Sequence, residues 1–294
     1  MKKNINQIKL FRKAILCASL ISISSITPVC IFAEDTSEFH YNSYKDVGYV
    51  KPFNWEHAQG LCTDGIFFYF AGHNDSTGEN ADIHKIRIFD NTEVNLFSKA
   101  GPLHSAELLW FQTHDSLLGC SGGNNRKPFV WEINKNNGKK INSWNFEGLG
   151  ENGGALIAWV DGYNIILFTS SQDGARIAFN KISLGRRGLY INEGTWSYSS
   201  KDLGVPQGLD YRDGYLYYLA DAGKTVSDNP HIIYKIKLEN NPAYTVSVLE
   251  EYHIDISDET EGLTIDPEGN IYFGTASEKI YKLDKPYNQL NKKQ

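Results

Sequence analysis

Apolar positions along this chain fall in short alternating runs of strand length, and turn-forming residues separate each run from the next. One phrase recurs: a polar residue, a small or apolar pair, a turn, then a β-rich run. Clear copies are Gln59-Gly60-Leu61 with Asp64-Gly65 and Ile66-Phe67-Phe68-Tyr69, Gln207-Gly208-Leu209 with Asp213-Gly214 and Tyr215-Leu216-Tyr217-Tyr218, and Glu261-Gly262-Leu263 with Glu268-Gly269 and Ile271-Tyr272-Phe273. Looser copies are Ala106-Glu107-Leu108-Leu109 with His114-Asp115, and Gly154-Ala155-Leu156 with Asp161-Gly162. Counted from Gln59, Glu107, Ala155, Gln207 and Glu261, successive copies lie 48, 48, 52 and 54 residues apart.

A strand-rich period of about 50 residues is the mark of a β-propeller, one blade per repeat. The predicted inner strands are 59–63, 106–112, 154–160, 207–211 and 261–266. The fifth repeat holds only 261–266, 270–276 and 278–284, one strand short of the others. The segment 40–53, with Val47, Tyr49 and Val50, supplies the missing outer strand. Pairing it into the last blade removes an open sheet edge and locks the ring. The predicted class is therefore all-β: a five-bladed propeller whose N-terminal strand closes the last blade. One domain, residues 34–287, is expected between a leader (1–33) and a polar tail (288–294).

The leader reads as a signal peptide. Lys2, Lys3, Lys9, Arg12 and Lys13 precede an apolar stretch from Ala14 to Ile26, and Ile31-Phe32-Ala33 offers a cleavage site. The apolar stretch is short for a membrane span, and no later segment is long and apolar enough. Secretion, extracellular or periplasmic, is the expected destination. Removing those five basic residues from the chain's 29 leaves 24 against 35 acidic ones, a net charge of −11. That charge disfavours nucleic acid and anionic membranes as partners. Cys17 and Cys30 leave with the leader. Cys62 and Cys120 remain, either bridged or as two buried thiols. Trp110, Trp131, Trp144, Trp159 and Trp196 are read first as packing between blades.

In a propeller the first strand of each blade lines the channel and begins at the face that carries the second-to-third-strand loops. Here those loops, 72–82, 121–127, 171–174 and 221–230, are long and polar. The predicted site is the ring at that mouth: Gln59, Glu107, Gln207 and Glu261, with His57 and His104 beside it and Gly154 or Ala155 leaving one side open. Glu107 and Glu261 are the catalytic candidates, because close carboxylates push their pKa values apart. The same oxygens would suit calcium. Simple satisfaction of backbone groups is the competing reading for every one of them. No Gly-x-Ser-x-Gly, His-Glu-x-x-His or P-loop pattern occurs.

The order Gln59-Gly60-Leu61, His104-Ser105-Ala106-Glu107, Gln207-Gly208-Leu209-Asp210, Glu261-Gly262-Leu263 loosely resembles the secreted helveticin J and teichoic-acid-protein-C-like group. That resemblance implies binding of a glycan or other cell-envelope component. The echoes at Gln59-Gly60-Leu61 and Glu107-Leu108-Leu109 resemble plant-type glutaminyl cyclase, and imply an essential Glu at Glu107 and N-terminal glutamine peptides as substrate. The chain has Leu108 where that family has Gly, and Pro206-Gln207-Gly208-Leu209-Asp210 where it has Asn-Glu-Leu-Glu. The leading expectation is a binding module for a glycan, peptide or cell-envelope component; the alternative is an enzyme working with the same carboxylates.

Overall fold

The computed structural model describes residues 37–41, 44–49, 57–73, 80–102, 104–121, 127–149, 155–170, 176–199, 203–223, 225, 227–228, 230–240 and 244–289. The expected leader, the lead-in 151–154, the end of the tail and much of the loops 72–82, 121–127, 171–174 and 221–230 lie outside the described residues.

Two strands, β1 (Ser37–Tyr41) and β2 (Tyr44–Tyr49), precede the first blade. Blade one is β3 (His57–Thr63), β4 (Phe67–His73), β5 (Ile83–Arg87) and β6 (Thr92–Phe97). Blade two is β7 (Ser105–Phe111), β8 (Ser116–Ser121), β9 (Phe129–Ile133) and β10 (Lys140–Asn145). Blade three is β11 (Ala155–Asp161), β12 (Asn164–Ser170), β13 (Arg176–Leu184) and β14 (Tyr190–Ser199). Blade four is β15 (Val205–Arg212), β16 (Tyr215–Asp221), β17 (His231–Glu239) and β18 (Thr245–Ile254). Blade five is β19 (Thr260–Ile265), β20 (Ile271–Thr275) and β21 (Lys279–Leu283), completed by β2. The inner strands β3, β7, β11, β15 and β19 pack in turn around a ring that closes from β19 back to β3.

Closure works as the missing strand requires. β2 pairs antiparallel with β21, Tyr44 opposite Leu283 and Tyr49 opposite Lys279. The chain also does something the repeat pattern does not announce. β1 pairs in parallel with β18, from Ser37 opposite Glu250 to Tyr41 opposite Ile254, and adds a fifth strand to blade four. One short N-terminal segment therefore holds the outer edges of two adjacent blades.

The core is divided by interface. Phe68, Phe70 and Ile86 of blade one meet Tyr272 and Ile280 of blade five. Tyr69 and Phe97 meet Leu108 and Leu117 of blade two. Phe111 and Trp144 meet Ile157 and Ile182 of blade three. Phe168 and Phe179 meet Tyr218 and Ile236 of blade four. Tyr217 and Ile233 meet Phe273 and Leu283 of blade five. Each buried large side chain contributes roughly 1.5–3 kcal/mol. Second strands, caught between two neighbouring blades, are buried on both faces, as in β8 and β20, whereas the outer strands β6 and β10 are largely exposed. The turns follow their sequence. Asp213 and Gly214 both take positive φ, 51° and 87°, which suits a two-residue hairpin between β15 and β16.

Cys62 and Cys120 are free, buried thiols. Cys62 faces blade two from blade one, while Cys120 faces blade three from blade two and donates to the Ala155 carbonyl at 3.0 Å. They occupy opposite faces of blade two's packing, so no bridge joins them. Of the five tryptophans expected to pack between blades, Trp144 and Trp196 are core, each donating its indole N–H to the next blade, at Gly185 and Glu239. Trp110, Trp131 and Trp159 are only partly buried.

Candidate functional site

Four inner strands carry a register irregularity near their start: between Ala58 and Leu61, Ser105 and Glu107, Pro206 and Gly208, and Glu261 and Leu263. Bulges re-aim side chains and leave amides out of the ladder. After each bulge comes a leucine that packs toward the preceding blade: Leu61, Leu108, Leu209 and Leu263. Counting back from those leucines, Gly60, Gly208 and Gly262 share a position with Glu107. Gln59, Gln207 and Glu261 share theirs with Ala106. The structure thus shifts Glu107 by one residue from the place the repeat phrase assigns it.

That shift decides what Glu107 does. The inner strands come so close at the glycine position that a Cβ on Gly60 would sit 2.5 Å from Glu107 Cα, and one on Gly208 would sit 2.5 Å from Leu263 N. Glu107 is fully buried there. Its Oε2 accepts the Leu209 N–H at 2.8 Å and its Oε1 the Leu108 N–H at 3.2 Å, and the Leu61 N–H also bonds to it. Three homologous amides from blades one, two and four converge on one carboxylate. Burial pushes that carboxyl well above the ordinary range, against the pull of the three N–H groups.

The other ring residues meet at the strand-entry mouth. Gln59 donates its Nε2 to Glu261 Oε1 at 2.9 Å. Gln207 donates to Asp221 Oδ2 at 2.7 Å and to Glu259 Oε1 at 3.2 Å. Asp221 Oδ1 accepts from Thr260 Oγ1 at 2.6 Å and faces His231 Nδ1 at 2.5 Å. His231 Nε2 lies 2.9 Å from the Ile256 carbonyl, which can only accept, so Nε2 carries a proton. Burial raises Glu261 well above the carboxylate range, and the charges of Glu259 and Asp221 add to the effect. Glu259, half-buried, is raised by burial and by Asp221, with Gln207 and His57 opposing. His57 is therefore an electrostatic neighbour of this group, exposed at its rim. His104, half-buried with φ 52°, sits on the turn before β7.

The sequence pattern points to Gln59, Gln207 and Glu261 but not to Asp221, Thr260 and His231. Asp221 and His231 end β16 and begin β17, and only blade four carries an acid there; Ser121, Ser170 and Thr275 end the matching strands. A feature of one blade leaves no trace in a repeat. Glu107 and Glu261 hold separate partners among the described residues, three backbone amides for Glu107 and the Gln59 amide for Glu261. Among the described residues no group of three or more His, Cys, Asp or Glu could hold a metal ion.

At the other end of the channel lies a cavity of about 160 Å³. All five inner strands or their continuations reach it: Thr63, Trp110, Trp159, Arg212 and Thr264. Asp210 also lines it. Its Oδ1 accepts the Tyr211 N–H at 2.6 Å and its Oδ2 the Ile265 N–H at 2.5 Å, and burial pushes its carboxyl up to about 6 despite nearby Arg212.

No protein-family model matches the chain, and no curated protein matches its sequence. Among solved structures, an exo-β-1,3-galactanase from Phanerochaete chrysosporium aligns with a TM-score of 0.52 at 13% identity, over 82% of this chain and 64% of that one. The fold is that of a β-propeller. A streptogramin B lyase aligns at 0.41 and 12% identity, over 81% of this chain and 96% of the other. A glucose dehydrogenase aligns at 0.42 and 10% identity, over 83% and 99%. At these identities the likeness is one of fold alone. Among the described residues, no helix is long and apolar enough to cross a membrane.

Proposed function

We propose that this protein is a secreted propeller module that binds a glycan, peptide or cell-envelope component at the strand-entry mouth, through Gln59, Gln207, Glu259 and Glu261, with His57 and His104 at the rim. The observation that carries this reading is the position of Glu107. An enzyme of the cyclase type would need that carboxylate free to take a proton. It is instead fully buried and accepts three backbone N–H groups. What remains at the mouth is a set of amides and carboxylates already hydrogen-bonded to one another, arranged to exchange partners with a polar ligand. The resemblance to the helveticin J group favours a cell-envelope ligand.

A second reading keeps an enzyme at the same mouth. Glu261, raised by burial and flanked by Glu259, has the character of a general acid, with cyclisation of an N-terminal glutamine as its best-defined form. One experiment separates the two. The protein is applied to a glycan array and an envelope-fragment panel, and in parallel incubated with peptides that begin in Gln. Saturable binding that Glu259→Gln and Gln59→Leu weaken, without turnover, supports the module. Turnover by the parent that Glu261→Gln abolishes while remaining folded overturns it.

A further inference from the structure

We propose that the cavity at the strand-exit mouth, opposite the site just described, is a second binding site that takes one neutral sugar ring. The argument begins with Arg212. Its Nη2 donates to the carbonyls of Ile265 and Asp266 at 2.9 and 3.0 Å, which fixes the guanidinium against blade five. Its Nε is buried and has no hydrogen-bond partner. A buried donor left without an acceptor is unfavourable, and most such groups in folded proteins are paired. Arg212 lines the cavity, so a ligand oxygen there has the fixed guanidinium as its neighbouring donor.

The surrounding groups limit what carries that oxygen. An anion would meet Asp210 and Asp213, both of which line the cavity, on a chain with an acidic balance. A cation would meet the fixed guanidinium. A hydroxyl suits both neighbours, because it accepts from Arg212 and donates to a carboxyl oxygen. Thr264 adds a hydroxyl to the wall, while that of Thr63 is spent within its own turn, donating to the Phe67 carbonyl and accepting the Gly65 N–H. Trp110 and Trp159 supply apolar walls, and their polar ends are already tied down. The Trp110 indole donates to Asp115 at 3.1 Å and the Trp159 indole to the Gly162 carbonyl at 3.2 Å. Indoles held in this way line a site without conformational loss, although Lys135 Nζ lies over one face of the Trp110 ring at 5.6 Å; such apolar walls suit the C–H face of a sugar. Size completes the class. At about 160 Å³ the cavity is smaller than the roughly 300–1,000 Å³ of pockets for drug-sized ligands, so one ring fits and an extended chain would have to leave by the mouth.

The test uses the full chain labelled with 5-fluorotryptophan and read by fluorine NMR. The probes are methyl glycosides of neutral hexoses and N-acetylhexosamines, with glucuronic acid and glucosamine as the charged comparisons. At least one neutral glycoside should give saturable shifts of the Trp110 and Trp159 resonances, assigned by single Trp→Phe substitutions. Arg212→Gln should weaken binding about tenfold or more, the loss expected for one charged hydrogen bond, while Glu259→Gln at the opposite mouth should leave it unchanged. Saturable shifts confined to any of the other four tryptophans, Trp55, Trp131, Trp144 or Trp196, would overturn the proposal. So would tighter binding of either charged sugar, or no saturable shift with any probe. The wild-type shifts decide even where Arg212→Gln fails to fold. Because the mouths are tested by separate variants, failure here leaves the entry-mouth reading standing, and the reverse also holds.

Discussion

Glu107 Oε2 accepts the backbone N–H of Leu209 at 2.8 Å, although the two residues belong to blades that are not neighbours. With the amides of Leu61 and Leu108 on the same carboxylate, this side chain joins three blades at the axis. Replacing it with Ala orphans those amides, each at roughly 1–3 kcal/mol. Glu107→Gln keeps one acceptor but turns an NH2 toward backbone donors. Urea unfolding should show a large loss for Ala and a smaller but clear loss for Gln. A Glu107→Ala protein as stable as the parent would remove the joining role.

The glycine position gives a cleaner steric test. At Gly60 a methyl would meet backbone atoms of Glu107 at 2.5 Å, and backbone cannot rotate away. Gly60→Ala should destabilise by about 1–3 kcal/mol or more. At Gly148 a methyl meets nothing within 4 Å, so Gly148→Ala should stay within about 0.5 kcal/mol of the parent. Paired thermal melts check the contrast.

Asp221 anchors the entry mouth. Its carboxylate serves Gln207, Thr260 and His231, and both it and His231 are fully buried side chains. Asp221→Ala strands all three partners and should destabilise by about 3–5 kcal/mol. Asp221→Asn, which retains an acceptor, should lose less. Equal effects in chemical denaturation would argue against the hydrogen-bond account.

Stability should depend on pH in an unusual direction. Burial raises Asp210 from 3.8 to about 6. Its folded pKa is above its unfolded one, so its stabilisation is complete below about 3.8 and is lost as pH rises through about 6. Burial shifts Glu107, Glu259 and Glu261 the same way. Asp64 runs against them: burial works to raise it, but hydrogen bonds from Lys135, Phe67 and Ile66 bring it below 3.8, so its stabilisation is lost only in stronger acid. The urea midpoint should therefore fall between about pH 4 and pH 6, and Asp210→Asn should flatten that fall. A parental midpoint that climbs across this window would contradict the assignment.

The blade count, the inner strands and the closing role of the segment 40–53 were legible because they repeat, or because a repeat lacked them. Gln59-Gly60-Leu61 and Glu261-Gly262-Leu263 keep the phrase because close packing of inner strands demands glycine there. Glu107 misled because a carboxylate in a repeat of polar residues looks like one more of them. Only the strand register shows that it stands at the glycine position. Asp221, His231 and Arg212 belong to single blades, and their partners lie far away in sequence. β1 has no counterpart in any repeat, so nothing in the period announces its parallel pairing with β18.

The strap formed by β1 and β2 also sets an order of events. The residues of β1 and β2 are made before every blade yet are among the last to find their places, since Tyr44 must wait for Leu283 and Ser37 for Glu250. Contacts between such distant parts of a chain slow folding and leave strand edges open meanwhile. Until the final blade has been synthesised, the ring is a row of stacked sheets with a free edge at each end, open to pairing with another copy. The completed molecule carries its own clasp, and the growing chain does without it until the end.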